Sequence, residues 1–289
     1  MNNTITIKVN DETKAKMIDF YDYAKIEVNN PYIEFAAKTD DVRINIYKSN
    51  KVVFQGKDAI NESKIWETLS WEYNDEHIGS DEVGTGDFFG PMIVTAVYLN
   101  EENIKKVSDL GVQDSKNLTD DKILKIVPQL LEFIPYSLLI MDNEKYNEMN
   151  QKGYNMNNLK AQLHNHAINT LRKKIKKDVK AVIDQFCLPQ TYYKYLLGNP
   201  KIADNLVFTT KAESKSPSVA VASMISRYRF LLKYEEMNEK YKTTFPKGAG
   251  HHVDEFGKEF IKKHGVEELR KVAKLNFENL KNILTNKLL

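Results

Sequence analysis

At 289 residues, the chain exceeds the roughly 100 to 200 residues of a usual domain, so two domains, or one large domain with an appendage, are expected. Hydrophobic residues at 42% and charged residues at 28% exclude wholesale disorder, and no apolar run approaches the roughly 18 residues that a membrane span needs. A net charge of +2 says little about partners, and the single cysteine, Cys187, excludes an internal disulfide, a redox pair and a cysteine zinc cage.

With no basic, apolar leader at the N-terminus, a reducing, cytoplasmic setting is expected, and Cys187 reads as a packing residue. The first element is "TITIKVN", which alternates Ile5, Ile7 and Val9 with polar residues as a half-buried strand does. "DETKAKMIDFYDYA" opens with acids and repeats apolar residues at helical spacing. After "NNP" come "YIEFAA", "VRINIYK" and "KVVFQG", divided by short polar turns as a meander, and then "NESKIWETLSW" as an amphipathic helix. One sheet with helices on one side leaves its other face bare, either as a binding platform or as a docking surface. Tyr32, Arg43, Tyr47, Lys48 and Lys51 are its candidate contact groups. The region is close to charge balance, which weakens a phosphate-binding role.

The second region begins near Glu76. Strands are predicted at Ile78 to Asp81, Met92 to Leu99, Tyr136 to Met141, Ala181 to Asp184 and Leu206 to Thr210. Helices are predicted at Asp121 to Phe133, Asn157 to Lys176, Ser218 to Glu239, Asp254 to His264 and Asn276 to Leu288. Strands followed by strand and helix alternation imply a mixed α/β sheet with flanking helices. Positive charge gathers in "LRKKIKKDVK" and from Lys240 to Lys287. Such faces are ordinary solvated surface unless they lie beside a site directed at a polyanion.

Acids recur at strand ends: Asp81 and Glu82, Asp184, and Glu213 after "LVFTTKAE". Strand ends on one side of a mixed sheet converge, and crowded carboxylates oppose folding unless cations offset them. Oxygen-only ligands favour Mg²⁺ or Mn²⁺, and two such ions about 3.5 to 4 Å apart clamp in-line displacement at phosphorus. On spacing alone, capping a following turn or pairing with a lysine is the favoured role for Asp184 and Glu213. "GTGDFFG" is G-x-G-x-x-x-G and runs into Pro91 and a strand, so it lacks the helix of a dinucleotide fingerprint. Its bare backbone N–H groups suit close approach to a nucleotide, and a ribose 2′-OH is what separates RNA from DNA.

"SDEVGTGDFFGP" resembles the signature of type 2 ribonucleases H in the form typical of the ribonuclease HIII branch. "DSKNLT", "YNMNNLKAQLHN", "VIDQF" and "TKAESKSPSVAVASMISRY" follow in the order of that family. Glu213, where the HII branch usually has Asp, and Thr85, where that branch has Arg, favour the HIII form. The resemblance implies a ribonuclease H-like catalytic domain over 76–289, preceded by a small α+β domain over 1–70 similar to the TATA-binding-protein-like, substrate-binding domain of the branch. It implies endonucleolytic hydrolysis of the RNA strand of an RNA/DNA hybrid, with 5′-phosphate and 3′-hydroxyl ends, and no membrane or obligate protein partner. Asp81, Glu82, Asp184 and Glu213 are the implied catalytic and metal-binding set. The resemblance implies that Asp81 would bridge the two ions, that Glu213 would help hold the one that activates water, and that Glu82 with Asp184 would hold the one beside the leaving oxygen. Gly84, Thr85 and Gly86 are implied to read ribose hydroxyls, and Ser115, Lys116, Asn155 and Lys160 to bind substrate, the last three at phosphates. The rivals are a binding module without chemistry, which a broken carboxylate set would mark, and a DNA junction resolvase, against which "GTG" and "DSK" argue. Adjacent His251 and His252, and His164 with His166 two apart on a helix, do not share a face and read as surface or packing residues; a general acid is the minority reading for His251.

Overall fold

The computed structural model of the chain describes residues 3–69, 71–112 and 118–285. The chain divides into two compact units. One is Met1–Glu76 with Asn100–Gln113 and Ser214–Pro217, and the other is His77–Leu99 with Asp114–Glu213 and Ser218–Leu289.

In the first unit, β1 (Asn3–Lys8), β2 (Ile33–Lys38), β3 (Val42–Tyr47) and β4 (Lys51–Gly56) form an antiparallel sheet in the order β1-β4-β3-β2. Period-two patterning sends Ile7, Ile44, Ile46, Val52 and Phe54 to one face, where they pack with Met17 and Tyr21 of α1 (Asp11–Tyr21) and Trp66 of α2 (Ala59–Leu69). Each such side chain contributes about 1.5–3 kcal/mol on burial. Asn10 starts α1 by accepting the Thr13 N–H at 2.7 Å. Trp66 Nε1–H donates to the Tyr21 hydroxyl at 2.7 Å, so the polar edge of the indole is satisfied inside the core. The opposite face carries exposed Thr4, Thr6, Lys8, Lys38, Arg43, Lys51 and Gln55. Helix α3 (Glu101–Asp109) packs against α2 through buried Ile104 and Val107. Its two apolar positions gave too little periodicity for the helix to be foreseen.

In the second unit, β5 (His77–Val83), β6 (Met92–Leu99), β7 (Tyr136–Met141), β8 (Ala181–Asp184) and β9 (Leu206–Thr209) form a mixed sheet in the order β7-β6-β5-β8-β9. Strand β6 is buried along its whole length, as its unbroken apolar run requires. Antiparallel pairing joins β5, β6 and β7, whereas β8 and β9 run parallel to β5. The C-terminal ends of β5, β8 and β9 therefore point the same way. The helices are α4 (Asp120–Leu131), α5 (Asn143–Gln151), α6 (Met156–Ile175), α7 (Pro189–Tyr195), α8 (Pro217–Tyr241), α9 (His251–His264), α10 (Val266–Val272) and α11 (Glu278–Thr285). The five strands lie where the sequence put them. The last predicted helix ends at Thr285 among the described residues, and α5, α7 and α10 are additional short helices with few apolar positions each.

The two faces of this sheet are covered by different helices. Ile78, Val94, Ala96, Ala181 and Ile183 cluster with Ala161, Ala167, Ile168 and Leu171 of α6. On the other face, Gly79 lies beneath the start of α8, where an added Cβ would stand 2.2 Å from the Val219 nitrogen.

Candidate active site

Alternation along β5 sends Ser80 and Glu82 toward α6 and Asp81 toward α8. The parallel register pairs Ser80 with Ile183, so the next step brings Asp81 beside Asp184 on the neighbouring strand and the same face. Ser223 of α8 hydrogen-bonds the Asp81 carboxyl, and Asp81 Oδ1 accepts the Glu82 N–H at 2.8 Å. Ser226 Oγ lies 2.8 Å from Thr95 Oγ1 and 3.3 Å from the Asp81 carbonyl, tying α8 to both central strands. Burial first, then the Glu82 charge, with a smaller push from Asp184, raises the Asp81 carboxyl well above the usual carboxylate range.

Glu82 has the opposite surroundings. Burial raises its pKa, but the His164 hydrogen bond and charge, together with the Lys160 ammonium, outweigh that and hold it low. Its Oε2 is 2.8 Å from His164 Nε2, and its Oε1 pairs with Lys160 Nζ. His164 Nδ1 is in turn 2.7 Å from Ser80 Oγ, and its ring stacks on Phe186, over which the Lys160 ammonium also sits 4.0 Å from the ring centre. His164 is thus fully buried and bonded to a candidate ligand, and the surface alternative of the surface or packing role expected for it is corrected. Its signal was present in the sequence, because Lys160 and His164 are four apart and share a helix face.

Asp184 Oδ1 accepts the Ala212 N–H at 2.9 Å, which fixes the turn that carries buried Glu213. The turn-cap role left open for Asp184 is therefore real and coexists with its place beside Asp81. Among the described residues, no three His, Cys, Asp or Glu side chains are drawn into a metal cage, since Glu82 is turned to α6 and Asp184 also caps a turn. The donor set still fits a hard cation. Asp81 is crowded by two acids and has no basic side chain within ion-pair distance among the described residues, a charge balance that an oxygen-seeking divalent ion restores.

The remaining predicted positions divide. Gly84 and Gly90 have φ values of 84° and 80°, and a Cβ on them would strike Pro91 or Tyr234, so the fold itself requires both. Gly86 is exposed and has open space where a Cβ would stand. Thr85 between them is half-buried. Asn155 caps α6 by accepting the Asn158 N–H at 2.9 Å and remains exposed, whereas Lys160 is buried against Glu82 instead of facing outward. Ser115 and Lys116 lie outside the described residues.

Comparison with known proteins decides the affiliation. The Ribonuclease HII family model matches residues 78–280, and a domain of unknown function, DUF3378, matches residues 4–77. Ribonuclease HIII of Bacillus cereus is 41% identical over 98% of this chain and 99% of its own length. That of Bacillus licheniformis is 42% identical over 85% and 86%. The chain belongs to the ribonuclease HIII family. The crystal structure of Bst-RNase HIII in complex with Mn2+ superposes with a TM-score of 0.76 at 34% identity, covering 99% of both chains. Aquifex aeolicus RNase H3 follows at 0.59 and 25%, covering 95% of this chain and all of the other. As a ribonuclease HIII, the chain is an enzyme of the ribonuclease H class with a mixed-sheet α/β fold and a small antiparallel domain before it. No helix among the described residues is long and apolar enough to cross a membrane.

Proposed function

We propose that the chain is a divalent-cation-dependent endonuclease that cuts the RNA strand of RNA/DNA hybrids, leaving 5′-phosphate and 3′-hydroxyl ends. The observation that carries this reading is the pair Asp81 and Asp184, side by side on parallel strands, with Asp81 lacking any cationic partner among the described residues. Asp81 and Asp184 would hold Mg²⁺ or Mn²⁺, with Glu82 and Glu213 completing the shell for two ions. The Mn2+ bound by the Bst relative supports a divalent cation. When bound, the ions supply charge neutralisation at the phosphate and lower the pKa of a water. Ser223 and the Glu82 N–H orient the Asp81 carboxylate, and His164 with Lys160 orients Glu82. Gly86, which neither its backbone nor its neighbours oblige to be glycine, leaves room for a sugar to approach the Gly84–Gly86 backbone, where a 2′-hydroxyl finds N–H donors.

The first unit supplies the substrate platform in this reading. Lys38 stands directly opposite Arg43, and Lys8 opposite Lys51, on the open face. Like charges opposite one another destabilise a sheet, so two such pairs on one surface suit a polyanion laid across it. Arg43, Tyr47 and Lys51 of the expected contact set lie on β3 and β4, whereas Tyr32 and Lys48 belong to the turns beside them.

Asp81→Asn tests the proposal. Cleavage of a hybrid in Mg²⁺ falls by several powers of ten, on the order of 10³ or more, while hybrid binding persists. Full turnover by that variant, or equal cutting of duplex DNA by the unaltered chain, would overturn the reading.

A further inference from the structure

Downstream of Gly86, the loop turns through Asp87, Phe88, Phe89 and Gly90 before β6, and each of its four carbonyls is claimed. Tyr234 OH donates to the Phe89 carbonyl at 3.0 Å, and the Lys274 backbone N–H donates to that of Phe88 at 2.8 Å. The other two, on Asp87 and Gly90, accept from Lys274 Nζ at 2.8 and 2.6 Å, and Asn143 Nδ2 adds a second donor to Gly90 at 2.9 Å. The amides are held as well: Phe88 N–H donates to Gly248 and Gly90 N–H to Val272, both at 2.9 Å.

Lys274 is fully buried, and among the described residues no carboxylate lies within ion-pair distance of its ammonium. Its company is two carbonyl oxygens and the Tyr146 ring 6.0 Å away. Burial, only partly offset by the Asp87 charge, pulls its pKa down to about 7. A lysine kept inside at such a desolvation cost is weak evidence for stability, since an apolar residue of like shape serves packing better. The hydrogen bonds it makes bridge the two ends of the Asp87–Gly90 turn, and that turn is continuous with the Gly84–Gly86 segment.

We propose that Lys274 is a positioning residue: by gripping the Asp87 and Gly90 carbonyls it fixes the downstream end of the Gly84–Gly86 segment, so that this backbone meets the ribose of the bound strand in one geometry. Gly84 is already fixed upstream by its close approach to Pro91. Between the two anchors the exposed Gly86 has no packing of its own, and its position is set by where Asp87 is held. The proposal rests on the hybrid-cleaving reading above, and it deepens that reading by giving the discrimination between ribose and deoxyribose a support outside the carboxylate cluster.

The test is Lys274→Met, which keeps the length and removes the donors. In an Asp81→Asn background, which allows equilibrium binding without cleavage, the Kd for hybrid rises about tenfold, as when one charge-assisted positioning interaction is removed. The Kd for DNA duplex stays within about twofold, and the melting temperature falls by no more than a few degrees. Asn143→Ser, which removes the second donor on Gly90, moves the hybrid Kd the same way by a smaller factor and keeps the measurement available if Lys274→Met does not fold. Ile283→Ala, which opens the apolar cluster that also holds Phe88, Phe89 and Tyr234 but removes no hydrogen bond of the loop backbone, lowers the melting temperature and leaves the ratio of the two affinities alone. An unchanged ratio in both loop variants overturns the proposal, as does an equal change in Ile283→Ala. Parent chains without any preference for hybrid would overturn the functional reading itself, whereas a parent with that preference and loop variants that retain it would overturn the role of Lys274 alone.

Discussion

The two sheets use the same strand geometry in different ways. In the first unit one face of the sheet packs on α1 and α2, and basic and polar side chains are spread over the other face. In the second unit the central strands are buried on both faces, and the acids proposed for catalysis gather where β5, β8 and β9 end. A face can present a row of like charges to a long ligand, while converging strand ends can crowd a few carboxylates around a point. In the proposed reading, the first arrangement holds a duplex and the second breaks one bond in it.

The largest effect that would sharpen this contrast comes from the strand ends. Asp184→Ala removes both the neighbour of Asp81 and the cap on the Ala212 turn, so single-turnover cleavage of hybrid falls by on the order of 10³-fold or more. A residual rate within about tenfold of the parent would mean that the end of β8 is not part of the centre. Next comes the network behind Glu82. His164→Ala leaves the Glu82 carboxylate with Lys160 alone, and the Mg²⁺ concentration for half-maximal cleavage rises about 10–100-fold, as when other groups that orient a metal-binding carboxylate are removed. Titration of cleavage against Mg²⁺ measures it, and an unmoved midpoint would leave His164 a packing residue after all.

On the open face, replacing Lys8, Lys38, Arg43 and Lys51 by Gln weakens hybrid binding about tenfold or more at low salt and flattens its dependence on salt concentration, by close to one unit of slope for each phosphate left without its cation. The turnover number at saturating hybrid is unchanged. A salt slope equal to that of the parent would assign the face to some other partner.

The smallest effect is one of pH. The Lys274 ammonium titrates near 7 when folded, against an ordinary value of 10.5, so between those values the unfolded chain binds the extra proton and stability rises with pH. This contribution is complete above the unfolded value and is lost as pH falls through about 7. Melting temperatures of Lys274→Met therefore climb less steeply from pH 7 to 10 than those of the parent, and parallel curves would show the lysine to be hydrated.

Much of this was legible in the sequence because it rests on local patterns. Alternation in "TITIKVN" and the unbroken run "MIVTAVYL" place β1 and β6, and the acids are legible as strand-end residues. The pairing of Asp81 with Asp184 was not legible, because parallel register depends on how β8 enters the sheet and not on anything written beside either residue. The surroundings of His164 are illegible for a related reason. The nearest residue of its own kind, His166, lies on another helix face, whereas its partner Glu82, shared with Lys160 one helical turn back, is on a strand far away in the chain. Lys274 gave no signal at all, since one lysine among many in a basic segment carries no mark of burial.

Gly79 sets a tolerance for the whole centre. The seat it makes for the first turn of α8 admits a hydrogen atom and nothing larger, because what an added methyl would meet first is the main chain of Ser218 and Val219, which has no rotamer to swing aside. Even alanine there would have to lift the helix, and Ser223 and Ser226 would travel with it, the first away from the Asp81 carboxyl and the second away from the Asp81 carbonyl and Thr95. The spacing between helix and strand is thus fixed by a residue two positions from Asp81 that touches no substrate.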